Sequence, residues 1–287
     1  MLFCTRALQR ASVLLPARFE IATTIAYNLF AMTHSKRQGL IFDGDGTLWE
    51  TQAFYDEAKE RFYEIVAGQG GLAEYFASVQ MTVEDGMRFV DEIDVRNVQR
   101  GGFAVGRFSG SLVEAYESLA AAAGVAPNPH VRQRLRRLGI SVPNQRRTPL
   151  PGAREMLEAL SADGSHALVL YSAGDEAIQM RKLRETGLEE FFEERVHIVP
   201  MKDDAALRKL IEAENLDIPS SWMIGNSLRS DINPALRLGL NCIWYHNGAW
   251  AYDESEEREP GRLFEIHSLP EVVDIIQRAQ RSAAEGN

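Results

Sequence analysis

The stretch Gly39-Leu40-Ile41-Phe42-Asp43-Gly44-Asp45-Gly46-Thr47 decides the fold of this 287-residue chain. Its first four residues are an apolar run that ends in a glycine-punctuated turn, a pattern typical of a buried parallel strand. The turn carries two carboxylates, Asp43 and Asp45, two residues apart and separated by a glycine. Glycine permits a tight backbone geometry and lets a ligand approach closely. The stretch therefore predicts a ligand-binding turn at the carboxyl end of a strand.

An EF-hand loop is the competing interpretation of a D-x-D-G run. Such a loop requires glycine at its sixth position and a bidentate acid at its twelfth. Leu48 and Phe54 occupy those positions here, so we reject the EF-hand.

Two blocks of pattern follow the turn. Over residues 51–145 the apolar residues recur at spacings of three and four, which predicts helices and no strand. From residue 151 onward short apolar strands alternate with helices, as at 167–171 and 175–185. Strands that alternate with helices of this length indicate a parallel sheet covered on both faces. We therefore predict an α/β fold, a doubly wound parallel sheet, with an inserted all-helical domain.

These patterns also predict the domain boundaries. Residues 39–50 and 146–287 are expected to form the α/β core, and residues 51–145 the helical insertion. Residues 1–38 carry five basic residues against one acid, and no apolar run there is long enough to span a bilayer. We interpret them as a loosely ordered N-terminal extension. A targeting segment is the alternative that stays open.

Composition and charge narrow the functional classes. Apolar content of 45% and charged content of 25% are globular values, which argue against a disordered or membrane protein. The net charge of −10 repels nucleic acid, so no nucleic acid polymer and no membrane is predicted as a partner. Cys4 and Cys242 lie far apart and outside any metal spacing, so a cytoplasmic location is the natural expectation.

Polar residues follow three further predicted strands. Ser172 and Ala173 come after the strand at 167–171, Lys202 lies beyond the strand at 196–199, and Gly225-Asn226 with Asp231 follow the strand at 222–224. Each has an ordinary explanation as a turn, a helix cap or a surface lysine. Parallel sheets bind ligands beyond the carboxyl ends of their strands. Because all the motifs occur at such ends, we expect a single site.

This set of motifs, over residues 40–245, resembles the four sequence motifs of the haloacid dehalogenase-like superfamily. The resemblance implies a Rossmann-like core, with residues 51–145 in the position of that superfamily's first-type cap. It implies that Asp43 attacks a phosphoryl group to form an aspartyl-phosphate, and that Asp45 acts as general acid and then as general base. Lys202 would offset the negative charge. Phosphate-binding residues would be Gly44, Ser172, Ala173 and Lys202.

The resemblance further implies a Mg²⁺ cofactor, with Asp43, the backbone carbonyl of Asp45, Asp231 and Asn226 as ligands. The last motif commonly begins Gly-Asp, whereas this chain has Gly225-Asn226. An amide oxygen can ligate Mg²⁺ but brings no charge. This departure predicts either a weaker metal site or a larger share of metal binding for Asp231.

We therefore expect Mg²⁺-dependent hydrolysis of a small soluble phosphomonoester. A 2-haloacid dehalogenase is one alternative, and Asp45 argues against it because a halide leaving group needs no proton. A weakened binding or regulatory module is the other, favoured only by Asn226. Nucleoside monophosphates, sugar phosphates, phosphoglycolate and flavin mononucleotide all stay open as substrates, and the oligomeric state is open too.

Two weaker signals lie in the helical block. The arginines from Arg132 to Arg147 are expected mainly on a solvated face beside an apolar stripe. The glycines between Gly101 and Gly110, with Arg100 and Arg107 among them, suggest a mobile loop that reaches over the active site. That loop is the predicted specificity element.

Overall fold

The core of the protein is a six-stranded parallel sheet. The computed structural model describes residues 36–162, 164–247 and 261–285. The strands are β1 (Gly39–Phe42), β2 (Ala167–Ala173), β3 (Val196–Val199), β4 (Trp222–Gly225), β5 (Asn241–Tyr245) and β6 (Leu263–Ile266). Their spatial order is β3-β2-β1-β4-β5-β6, and every neighbouring pair is parallel. The order reverses at β1, so the crevice for a ligand is expected beside the carboxyl ends of β1 and β4. The predicted doubly wound sheet is confirmed.

Helices occupy both the connections and the insertion. Six helices lie between β1 and β2 in the described part of the chain. The first five form the block predicted at residues 51–145, and the described residues of that block contain no strand, as predicted. Gly187 and Gly239 end two of the later helices with φ of 68° and 88°, a left-handed conformation that glycine adopts without penalty. The helices are α1 (Gln52–Gly68), α2 (Ala73–Val79), α3 (Val83–Gly101), α4 (Arg107–Ala122), α5 (Pro129–Asn144), α6 (Ala153–Ser161), α7 (Glu176–Thr186), α8 (Asp204–Ala213), α9 (Asn233–Leu238) and α10 (Glu271–Glu285).

Successive residues of β1 pack on opposite faces of the sheet, because side chains alternate along a strand. Leu40 and Phe42 join the hydrophobic cluster that contains residues of α6, α7 and α10. Ile41 joins a second cluster with residues of α8 and α9. Helices therefore cover both faces, and the apolar run that opens the sequence analysis is buried on both sides.

The helical block has a hydrophobic cluster of its own, which includes Phe62, Leu112, Tyr116 and Leu135. The chain enters and leaves this block along two short paired segments. The amide of Leu150 donates to the carbonyl of Leu48 at 2.9 Å, and the amide of Glu50 donates to that of Thr148 at 3.3 Å. These pairings lie beside the predicted boundaries at residues 50 and 146. The division into domains at those residues stays a prediction.

Arg147 does not lie on the solvated face predicted for the arginine run. Only 1% of it is exposed. Its guanidinium lies 4.2 Å from the centre of the Phe54 ring and donates to the carbonyls of Val142 and Gln145. Arg147 is buried because it satisfies carbonyls at the end of α5, where a helix leaves acceptors unpaired.

The loop in the glycine-rich stretch of the helical block is shorter than predicted. Gly101 is the last residue of α3 and Gly110 lies inside α4, so the loop between these helices is only residues 102–106. The predicted N-terminal extension, residues 1–38, lies outside the described residues except for its last three. Within the described ranges, no helix combines the length and the apolar character needed to cross a bilayer.

Candidate active site

Asp43 stands at the end of β1 in a buried, hydrogen-bonded position. Its amide donates to the carbonyl of Ile224 at 2.9 Å, which extends the β1–β4 ladder by one residue. One carboxylate oxygen accepts from the Thr47 hydroxyl at 3.0 Å, and the other accepts from the ammonium of Lys202. Asp43 is 6% exposed. The strand end therefore holds this carboxylate in one orientation at the edge of the sheet.

Lys202, in the segment after β3, bridges two carboxylates. Its Nζ contacts Oδ1 of Asp43 and lies 2.6 Å from Oδ1 of Asp231. Burial lowers the pKa of Lys202, but the two carboxylates outweigh this effect and hold its pKa above the usual range. This environment therefore favours the charged form of Lys202 between them.

Asp231 and Asn226 enter the site from the segment that follows β4. Asp231 lies in a π-helical turn, Leu228–Ile232, and its Oδ2 accepts from the amide of Ser227 at 3.1 Å. A side chain at Gly225 would place its Cβ 2.4 Å from that same oxygen, so only glycine fits there. The Oδ1 atom of Asn226 lies 3.3 Å from the Thr47 hydroxyl.

The charge balance around Asp43 favours the binding of a second cation beside Lys202. Burial, together with the neighbouring charge of Asp231, raises the pKa of Asp43 to about 7, although Lys202 opposes the shift. Two buried carboxylates share one lysine, so the cluster carries a net negative charge when both carboxylates are ionised. Carboxylate and amide oxygens are the ligands that Mg²⁺ prefers. The donors that converge here, from Asp43, Asp231 and Asn226, therefore fit that ion.

Asp45 is held by four side chains. Lys182 donates to both carboxylate oxygens at 2.7 Å and 2.8 Å, and Gln179 donates to Oδ2 at 2.6 Å. The Thr51 hydroxyl and the Trp49 indole donate to Oδ1 at 2.6 Å and 2.8 Å. Burial alone would raise the pKa of Asp45, but Lys182 and these hydrogen bonds hold it well below its usual range. Asp45 is therefore an ionised carboxylate in this state.

Sequence reasoning missed Gln179 and Lys182. Both lie on α7, which follows the predicted phosphate-binding strand β2, and they are three residues apart, so they share one face of the helix. That spacing is the signal that could have identified them. Both side chains are buried.

Ser172 and Ala173 end β2 beside this group. Ser172 is fully buried, and its hydroxyl accepts from the Gln179 amide at 2.8 Å. The same amide lies 2.7 Å from the carbonyl oxygen of Ala173. Gln179 therefore links the end of β2 to Asp45.

A cavity of about 160 Å³ joins these residues to the helical block. Every predicted site residue except Gly44 lines it. The carbonyl of Gly44 instead accepts from the amide of Leu48 at 2.9 Å and closes the turn. The sheet side of the cavity includes Asp43, Asp45, Ser172, Ala173, Lys202, Asn226 and Asp231. The opposite side includes Tyr55, Asp91, Asp94, Phe103, Arg107 and Phe108.

Known proteins show similarity to this chain in sequence and in fold. A glyceraldehyde 3-phosphate phosphatase from Pyrococcus furiosus is 27% identical over 143 residues, which are 47% of this chain and 58% of that protein. The chain thus spans little more than half the length of that curated relative.

Two solved structures show the fold. A haloacid dehalogenase-like family hydrolase from Xanthomonas campestris superposes with a TM-score of 0.68 at 24% identity, covering 88% of this chain and 95% of that one. An L-2-haloacid dehalogenase from Xanthobacter autotrophicus superposes with a TM-score of 0.53 at 16% identity, covering 84% of this chain and 98% of that one.

The family model for haloacid dehalogenase-like hydrolases matches residues 38–239. This range includes β1 to β4, the helical block and every predicted site residue. The chain is therefore a hydrolase that belongs to the haloacid dehalogenase-like family.

Proposed function

We propose that the protein is a Mg²⁺-dependent phosphatase that hydrolyses a small phosphomonoester through an aspartyl-phosphate on Asp43. The observation that carries the proposal is the placement of Asp43, Lys202 and Ser172 around one cavity at the carboxyl edge of the sheet. A nucleophile, a fixed cation and a buried hydroxyl are what phosphoryl transfer needs, because its catalysis is mostly positioning and charge neutralisation. The curated relative is a phosphatase by name.

In the first step a carboxylate oxygen of Asp43 attacks phosphorus, and the bond from phosphorus to the ester oxygen breaks. Lys202 would face the transferring group as a fixed positive charge, and the Ser172 hydroxyl would donate to a phosphate oxygen. The leaving alkoxide takes a proton from Asp45, so an alcohol departs. The product on the protein is an acyl phosphate at Asp43.

Asp45 must change its environment before it can donate that proton. Lys182 keeps it ionised in the resting protein. The negative charge of an arriving phosphate raises the pKa of a neighbouring carboxyl. We therefore propose that substrate binding loosens Asp45 from Lys182 and favours its protonation.

In the second step a water molecule attacks phosphorus and the bond to Asp43 breaks. Asp45, again a carboxylate, takes the proton of that water, and inorganic phosphate leaves. Asp43, Asp231, Asn226 and the carbonyl of Asp45 would hold Mg²⁺, which supplies positive charge to the phosphate oxygens. Three carboxylates face two ammonium groups here, so this additional positive charge would offset the repulsion that a phosphate dianion meets.

The test is phosphate release from a panel of small phosphomonoesters, with Mg²⁺ or with EDTA. We expect release with Mg²⁺ only, and its loss in Asp43→Asn. Asp274→Asn, the same chemical change at an exposed residue of α10, is the matched control and should retain full activity. Acid-quenched native protein should carry one phosphoryl group on the peptide that contains Asp43. Release that is indifferent to Asp43→Asn would refute the proposal.

A further inference from the structure

The wall of the cavity opposite Asp43 carries an ion pair that the proposed chemistry does not use. Arg107, the first residue of α4, contacts Oδ2 of Asp94 on α3. The side chains are 9% and 5% exposed, and both residues line the cavity. The Arg107 guanidinium also lies 5.6 Å from the centre of the Phe103 ring, in the loop of residues 102–106. The pair is therefore fixed at the cavity wall and largely removed from solvent.

Each partner keeps unused hydrogen-bonding capacity. Oδ1 of Asp94 is buried and has no hydrogen-bond partner among the described residues, and neither has Nε of Arg107. Burying an acceptor or a donor without a partner costs free energy, so such groups mark places where a ligand or water completes the bonding. One acceptor and one donor thus stay unpaired in an ion pair whose two residues line the cavity.

We propose that Asp94 and Arg107 form the subsite for a hydroxyl group of the substrate's leaving alcohol. The protein then selects small phosphomonoesters whose leaving alcohol is uncharged and bears a hydroxyl group, such as polyol or short sugar phosphates. This inference rests on the proposed phosphatase function. A hydroxyl is both donor and acceptor. Its hydrogen pairs with Oδ1 of Asp94, and its oxygen accepts from Nε of Arg107. An alkyl group satisfies neither atom.

Charge and size support the same substrate class. Two carboxylates, Asp91 and Asp94, lie on the far wall, and each already has a cationic partner: Lys59 donates to Asp91 at 3.0 Å, and Arg107 contacts Asp94. A leaving group that bears its own carboxylate would therefore meet no uncompensated positive charge there. The cavity of about 160 Å³ is also smaller than the roughly 300–1,000 Å³ of pockets for drug-sized ligands, which disfavours nucleotides and flavins.

The experiment compares kcat/KM for glycerol 3-phosphate, propyl phosphate and phosphoglycolate. The first two share a three-carbon chain and differ in their hydroxyl groups. Hydrogen bonds to charged groups correspond to roughly 10- to 100-fold in binding of the transition state, so we expect the native chain to prefer glycerol 3-phosphate over propyl phosphate by that factor. Phosphoglycolate should be the poorest of the three.

The diagnostic variant is Asp94→Leu/Arg107→Met. It replaces the buried pair with apolar residues of similar size, a change that folded proteins often tolerate without loss of stability. Turnover of propyl phosphate should be retained, while the preference for glycerol 3-phosphate falls to about threefold or less. The matched control is Arg96→Met/Glu114→Leu, which removes an exposed ion pair between the same two helices. It should keep the native preference.

Equal kcat/KM for glycerol 3-phosphate and propyl phosphate in the native chain would overturn the subsite. A preference for glycerol 3-phosphate that survives in the double variant would overturn it too. In either case, turnover of the esters leaves the phosphatase function standing. If the native chain hydrolyses none of these esters but others of the panel, the subsite is overturned; if it hydrolyses no ester of the panel, the proposed function falls. Calorimetric titration of the same esters then tests the subsite alone. Tighter binding of glycerol 3-phosphate than of propyl phosphate, lost in the double variant, supports the subsite, and equal binding of the two esters overturns it.

Discussion

Replacing Lys182 with methionine should destabilise the protein at neutral pH, because it removes the cation that compensates Asp45. The ammonium lies 2.7 Å and 2.8 Å from the two oxygens of Asp45. Methionine has a similar length and no charge. The carboxylate of Asp45 would keep the donors of Thr51, Trp49 and Gln179 but would lose its only counter-charge within hydrogen-bond distance among the described residues.

The magnitude follows from burial. Removing one partner of a fully buried ion pair costs about 3–5 kcal/mol. The Lys182 side chain is 6% exposed but that of Asp45 is 26% exposed, so we expect the lower end, about 3 kcal/mol. Lys182→Met/Asp45→Asn removes both charges and should recover most of the loss. With Asp45→Asn as the other single variant, which leaves the Lys182 ammonium without its counter-charge, the coupling free energy of the pair should be at least about 2 kcal/mol.

The pH dependence has a definite sign. In the native chain the folded pKa of Asp45 lies below its unfolded value. The stability from this pair is therefore complete above about pH 4 and is lost as the pH falls below it. Without Lys182, burial raises the pKa of Asp45, so the carboxyl takes up a proton as the pH falls. The cost of Lys182→Met should then be smaller at about pH 5 than at about pH 8.

Urea denaturation followed by tryptophan fluorescence measures these differences. Lys209→Met, at an exposed position of α8, is the matched control and should change the free energy of unfolding by less than about 0.5 kcal/mol. A Lys182→Met variant as stable as this control, or a coupling free energy near zero, would refute the argument.

Two further predictions concern the Asp43–Asp231 cluster. Gly225→Ala places a Cβ 2.4 Å from Oδ2 of Asp231. It should therefore cost about 1–3 kcal/mol of stability and weaken Mg²⁺ binding in calorimetry. The control Gly68→Ala, whose Cβ would meet no neighbouring atom within 4 Å, should do neither. Asp43→Asn, measured in EDTA, should become more stable relative to the native chain as the pH rises from about 5 to about 8. Below about pH 7 the folded native chain, in which the pKa of Asp43 is raised to about 7, keeps a proton on Asp43 that the unfolded chain has released. The native chain therefore loses stability as the pH rises, whereas Asp43→Asn does not titrate at this position. A stability difference that does not change over this pH range would contradict the shifted pKa.

The sequence alone determined the architecture. The apolar run of β1 and the later alternation of strands and helices predicted the doubly wound sheet, because hydrophobic periodicity is a local property of the chain. The family resemblance rested on motifs that follow individual strands, and the family match confirms it, together with the hydrolase class. The roles predicted for Asp43, Asp45 and Lys202 remain the proposal to test.

Only the tertiary structure decided which charges face one another. Lys182 reaches Asp45 across 137 residues of sequence, and Arg107 meets Asp94 only because α3 and α4 pack side by side. The sequence pattern predicted a surface position for Arg147, but the structure buries it between the end of α5 and the ring of Phe54. Such contacts depend on how helices dock. A period in the sequence shows which face of a helix is apolar, whereas docking determines which buried polar groups find partners and which are left for a ligand.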